Sequence, residues 1–159
     1  MTSTCQKPKT EEVVWYTLLP ECPCTNPDMT AVQLSDGWAR DVGDTDTYHR
    51  GATVCYRSYP AIETTEGMSG QQCCYDEHGQ LITSGSGAGT PDKVSTCAGE
   101  DEHGDMTINY SRVIGHMTKD VIPWNKAGGT NNGWQKYNLD WPPSQGQNCD
   151  DNPGPTSDR

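Results

Sequence analysis

The sequence predicts a small, disulfide-rich, mainly β fold with short helices and long ordered loops, built as a single domain. Three observations predict it. Eight cysteines (Cys5, Cys22, Cys24, Cys55, Cys73, Cys74, Cys97 and Cys149) span a chain of 159 residues. Only 31% of the residues are hydrophobic and none is Phe, so the chain has little apolar surface to bury. Seventeen Gly and 11 Pro cut the remainder into pieces too short for a helical bundle. A thin core needs covalent help, and a native disulfide typically contributes about 2–4 kcal/mol. Such bridges persist outside the cytosol, which places the chain in an extracellular or cell-surface compartment.

Along the chain, residues 1–12 read as an N-terminal extension, 13–149 as the stapled domain and 150–159 as a flexible tail rich in Asp, Pro, Gly and Ser. The β-branched and aromatic run Glu12–Leu19, closed by Pro20, predicts a strand. Ala31, Leu34 and Trp38 have helical spacing, which Asp36-Gly37 limits to a turn or two. Gln71–Asp76 and Gln80–Ser84 flank Glu77-His78-Gly79, the pattern of a hairpin with a bulge. Gly85–Gly89 is a loop, and Thr90 followed by Pro91 suits the cap and first turn of a short helix. Tyr110, Val113, Ile114, Met117 and Val121 form a helical stripe expected to end before Pro123.

The most informative stretch is Gly70-Gln71-Gln72-Cys73-Cys74-Tyr75-Asp76. Successive side chains of an extended segment point to opposite faces, so adjacent Cys73 and Cys74 anchor two different bridges, one on each side of a strand. The spacing is wrong for structural zinc: Cys22-Pro23-Cys24 is too tight, and the chain has no Cys-x-x-Cys or His pair at ligand distance. Eight cysteines allow about 105 pairings, and the sequence leaves the choice among them open.

With 22 acidic and 11 basic residues and a formal net charge of −11, the chain lacks the positive field that nucleic acid or anionic lipid requires. No apolar run approaches the roughly 20 residues of a membrane span, and the polar residues after Met1 do not form a secretory signal. Asp41, Asp44 and Asp46, with Asp36, are weak calcium candidates without EF-hand spacing and are more simply a solvated acidic loop. Asp-Glu-His-Gly occurs at Asp76–Gly79 and again at Asp101–Gly104; its imidazoles and carboxylates could accept a metal or support catalysis, but two glycine turns with solvated charges explain it more simply. Gly85–Gly89 lacks the Gly-Lys-Ser/Thr ending of a phosphate loop, and no nucleophile elbow is present. No metal, cofactor or catalytic residue is assigned. Asn109-Tyr110-Ser111 is an acceptable N-glycosylation sequon. Trp124, Trp134, Tyr137 and Trp141 either fill the core or stand out as contact residues.

Cys22-Pro23-Cys24-Thr25, then Gly70–Asp76 with Gly79 and Leu81, then Gly89-Thr90-Pro91-Asp92, and finally Asp120-Val121-Ile122-Pro123 with Tyr137 and Pro142-Pro143 occur in the order that resembles the AMOP domain. That module is found in isthmins, some mucins and sushi-domain membrane proteins. The resemblance runs from about Trp15 to Pro143. The family usually carries further cysteines near its end, where this chain has none until Cys149, so its disulfide pattern does not transfer whole. The resemblance implies a non-catalytic, extracellular adhesion or matrix module. Its expected partners are other extracellular proteins or copies of itself, with strand addition at a sheet edge as one route to a filament or sheath. The alternative is a monomeric secreted module that binds calcium, a glycan or a protein ligand.

Overall fold

The computed structural model describes residues 13–27, 34–35, 37–41, 48–100, 106–128, 133–147 and 149. Its centre is an antiparallel sheet of β1 (Leu34–Ser35), β2 (Trp38–Arg40), β3 (Val54–Ser58), β4 (Ile62–Thr64), β5 (Gly67–Tyr75) and β6 (Pro91–Asp92). The path runs β1-β2-β3-β5-β4, and β6 also pairs with β5. β7 (Cys97–Glu100) and β8 (Met106–Ile108) form a separate two-stranded ribbon. Helix α1 (Tyr110–His116) continues through a π turn (Met117–Val121) into α2 (Ile122–Lys126), and α3 (Trp134–Asp140) follows. The protein is small, disulfide-rich and mainly β, as the sequence predicts.

The nine-residue β5 organises everything else. Its first residues pair with β4 (Ile62↔Ser69), its middle with β6 (Gly70↔Asp92, Gln71↔Pro91) and its last four with β3 (Arg57↔Gln72 to Val54↔Tyr75). Alternation then sorts the side chains by face. Cys73 is bonded to Cys22 and packs with Trp38, Tyr56 and Tyr75, while Cys74 is bonded to Cys55 among Ala52 and Ile82. The adjacent cysteines do hold opposite faces. A third disulfide, Cys24–Cys149, joins the ends of the domain across 125 residues. Around it, Cys22 N–H donates to Ser144 Oγ and Gln147 Nε2 donates to the Glu21 carbonyl, each at 2.9 Å. Cys97 is buried at the start of β7; Cys5 lies outside the described residues.

The hairpin after β5 is present. Gly79 adopts φ +73°, and Asp76 Oδ1 accepts the amides of His78 and Gln80. Its return arm is reduced to an isolated bridge, Tyr75↔Leu81.

Four local expectations are corrected. Trp15–Leu18 is a 3₁₀ turn and not a strand, with Thr17 Oγ1 donating to the Val14 carbonyl and Trp15 buried; the described run has no sheet partner. Around Leu34 and Trp38 the chain makes a tight hairpin rather than a helical turn, because Gly37 at φ +85° reverses it between the paired Ser35 and Trp38; Ala31 lies outside the described residues. Thr90-Pro91 opens no helix. A Cβ on Gly89 would sit 2.4 Å from the Gln72 carbonyl oxygen, so the bare glycine lets β6 lie against β5, and Gln72 N–H donates to the Thr90 carbonyl. The helical stripe continues through Pro123, which occupies the first turn of α2 where its missing N–H is not needed. The π turn ahead of it passes the Ile122 N–H back to the Met117 carbonyl. Asn109 caps α1, its side chain accepting the Arg112 amide.

Candidate functional site: a buried ion cluster beneath the helical layer

Strand alternation puts Arg57 and Gln72 on the same face as Cys55 and Cys74, opposite one another in register. A charged residue in the middle of a buried strand demands partners, because an isolated buried ion costs several kcal/mol. Arg57, 4% exposed, finds them in Asp41 from the end of β2 and Asp92 from β6. Its Nη2 donates to Asp41 Oδ2 at 3.1 Å and lies 2.9 Å from Asp92 Oδ2. Gln72 Nε2 donates to the same Asp41 oxygen at 2.8 Å.

Next to this pair, Asp120 is tied into the edge of the sheet. Its Oδ1 accepts the Lys93 amide and its Oδ2 the Val94 amide, at 2.8 and 3.0 Å. His116, one helical turn earlier, places Nδ1 3.0 Å from Asp120 Oδ2. The π turn is thus docked by one carboxylate to the two residues that follow β6. A cavity of about 260 Å³ opens over the cluster and is walled by Trp124, Tyr137, Val113 and His49 among others. Tyr137 sets its ring against both Trp124 and Trp141, and Lys93 Nζ lies 4.3 Å above the Trp141 ring.

Burial governs the electrostatics. It pushes the Asp92 carboxyl up to about 6, with the charge of Asp120 adding and Arg57 opposing. At Asp41 burial acts in the same direction, but the Arg57 guanidinium and the Gln72 amide overcome it and hold the carboxyl below the ordinary value. Burial works against the Arg57 charge, yet the attraction of Asp41, Asp92 and Asp120 more than offsets that and raises its pKa. His49, buried with Nδ1 3.3 Å from the Ser86 carbonyl, is pushed down by desolvation.

The sequence candidates fall elsewhere or into other jobs. Asp41 turns inward to Arg57, which opposes its use as a calcium ligand; Asp44 and Asp46 lie outside the described residues. His78 is exposed, 3.4 Å from exposed Glu77, and the second Asp-Glu-His-Gly lies outside the described residues. Trp124 and Tyr137 fill the core, while Trp134 and Trp141 are half-buried. Arg57, Asp92, His116 and Asp120 were not anticipated. Two signals existed: an arginine within the strand-like Val54–Ser58, and His116 with Asp120 at helical i, i+4 spacing.

Among the described residues, an exposed apolar stripe lies on the same helical layer. Tyr110, Ile114 and Met117 are 82%, 72% and 42% exposed at i, i+4 and i+7, with no charged residue among them. Leu139 of α3 is also exposed. Among the described residues no helix is long and apolar enough to cross a membrane.

Comparison with known proteins adds the family. The family model for the AMOP domain matches residues 3–150. A human relative, Sushi domain-containing protein 2, is 42% identical over 81 residues, a stretch that covers 47% of this chain and 10% of that protein. The chain thus spans only a small part of that relative's length. No solved structure matches.

Proposed function

The chain belongs to the AMOP domain family, and from that premise we propose that it is a non-catalytic extracellular module that works by protein contact through the outer face of α1. The family is an adhesion-type one and not a known enzymatic one, and membership implies an extracellular, adhesion-related role in protein contact. The observation that carries the finer reading is the uncharged stripe Tyr110-Ile114-Met117, displayed to solvent on a chain of net charge −11. Apolar side chains at i, i+4 and i+7 on one helical face are the pattern by which a helix docks to a groove or to a second helix. The partner is another extracellular protein or a copy of the chain.

Strand addition has less support. The edge strands β1 and β4 of the central sheet are two and three residues long, and Trp15–Leu18, within the run predicted as a strand, is a 3₁₀ turn.

Beads coated with the oxidised domain test the contact reading. Wild-type beads are expected to adhere to one another or to cell surfaces, and beads carrying Tyr110→Ser with Ile114→Asp are not. Equal adhesion by both, or none by the wild type, would rule it out.

A further inference from the structure

We propose that Asp92, His116 and Asp120 form a binding site for one divalent first-row metal ion of the zinc class. This goes beyond the adhesion reading and does not rest on it, since His116 and Asp120 face inward from the helical layer onto Asp92 of β6, whereas the contact face is the exposed side of that layer. One ligand atom from each of the three lies within 4.8 Å of the other two. Metal–ligand bonds of about 2.0–2.2 Å set ligand atoms roughly 3–3.5 Å apart, so only a modest inward movement is needed. His116 and Asp120 already stand at 3.0 Å and share a helical face at i, i+4. An ion seated between them replaces their direct contact.

Two further observations point to a cation here. The first is charge. Asp41, Asp92 and Asp120 are buried or nearly so and face one guanidinium and one imidazole; with His116 serving as a neutral ligand and the three carboxylates ionised, the cluster is two positive charges short. One divalent ion closes that balance. The second is an acceptor with spare capacity: Asp92 Oδ2, on a residue only 3% exposed, receives no hydrogen bond and has only the ion pair with Arg57 Nη2 at 2.9 Å. The supporting shell is also in place. Backbone amides of Lys93 and Val94 orient Asp120, and Thr90 Oγ1 donates to Asp92 Oδ1, as outer-shell hydrogen bonds orient ligating carboxylates. A carboxylate has about four lone-pair positions, of which the two amides take two on Asp120. His116, with 18% of its side chain exposed, leaves the ion a route from solvent. Imidazole with two carboxylates suits zinc and its neighbours, whereas calcium wants about six to eight oxygens.

The experiment is calorimetric titration of the oxidised, alkylated, tag-free chain with zinc chloride, repeated with magnesium chloride and on three variants. The expected result is one zinc per chain and no saturable magnesium binding. His116→Ala and Asp92→Asn weaken zinc binding at least tenfold, and His78→Ala leaves it unchanged. Circular dichroism establishes that each variant is folded; should His116→Ala not fold, Asp92→Asn and the visible absorption of a cobalt-substituted wild type carry the decision. No saturable zinc binding would overturn the proposal. So would binding insensitive to the Asp92 and His116 changes, or lost with His78→Ala.

Discussion

Neighbouring residues of one strand serve two unlike cores. On one face of the sheet Cys73 joins Tyr56, Tyr75 and Trp38 in an apolar cluster bonded to Cys22. On the other, beside the Cys55–Cys74 bridge, Arg57 and Gln72 carry an ionic cluster on which the helical layer rests. The first face is held by covalent bonds and burial, the second by charges that must be paired because they are dry. A chain without Phe has too few apolar side chains for two full cores. Buried charge closes the second, at a desolvation cost that makes this layer sensitive to loss of any one partner.

The largest effect should come from the stapled face. Reducing the three described bridges, which close separations of 19, 51 and 125 residues, is expected to unfold the protein at ambient temperature, since each typically contributes about 2–4 kcal/mol against a total of about 5–15. Thermal melts with and without reductant check this; equal midpoints would remove covalent bracing from the account. Next comes the ionic face. Arg57→Ala leaves Asp41 and Asp92 without their counter-ion and should cost about 3–5 kcal/mol in denaturant titration. Hydrogen exchange sharpens the point: amides of α1 and α2 should lose protection before those of β5, and simultaneous loss would merge the two regions into one.

Gly89→Ala probes the junction of β5 with β6. Its new Cβ would meet the Gln72 backbone at 2.4 Å, so a loss of about 2–3 kcal/mol is expected from the same titration. A smaller effect concerns acid. Asp41 is held below its ordinary value of 3.8, so its contribution is present above that pH and is lost as the pH falls through the lower, folded-state value. In metal-free buffer Asp41→Asn should flatten the fall in melting temperature below pH 3.8, and an unchanged acid limb would show that the pair with Arg57 contributes nothing there.

What was legible in the sequence follows the same division. Cys73 and Cys74 declared their face by alternation alone, and Asp76–Gly79 declared a turn through glycine, to which the structure adds the Asp76 side chain that caps the loop. These are local rules. The helix from Tyr110 was legible as a stripe, but its passage through Pro123 depended on a π turn that periodicity does not encode. The ionic cluster was not legible. Asp41, Arg57, Asp92 and Asp120 are brought together by strand order and by the lie of β6 on β5, which turns on the absence of one Cβ at Gly89. The arginine within the strand-like Val54–Ser58 and the His116–Asp120 spacing were visible in advance, but neither names its partners, and i, i+4 pairs are ordinary on solvated helices.

The two regions also divide the work. The stapled face is the frame, and the ion-held layer carries the exposed stripe that we propose as the contact surface. A side-by-side adhesion measurement on single-site variants tests this most directly: Ile114→Asp on α1 against Val13→Asp, an equally apolar and 63% exposed position beside the 3₁₀ turn. Both should melt like the wild type, because neither buries its side chain. Loss of bead adhesion with Ile114→Asp and retention with Val13→Asp is the expected result, and the reverse pattern would contradict the account.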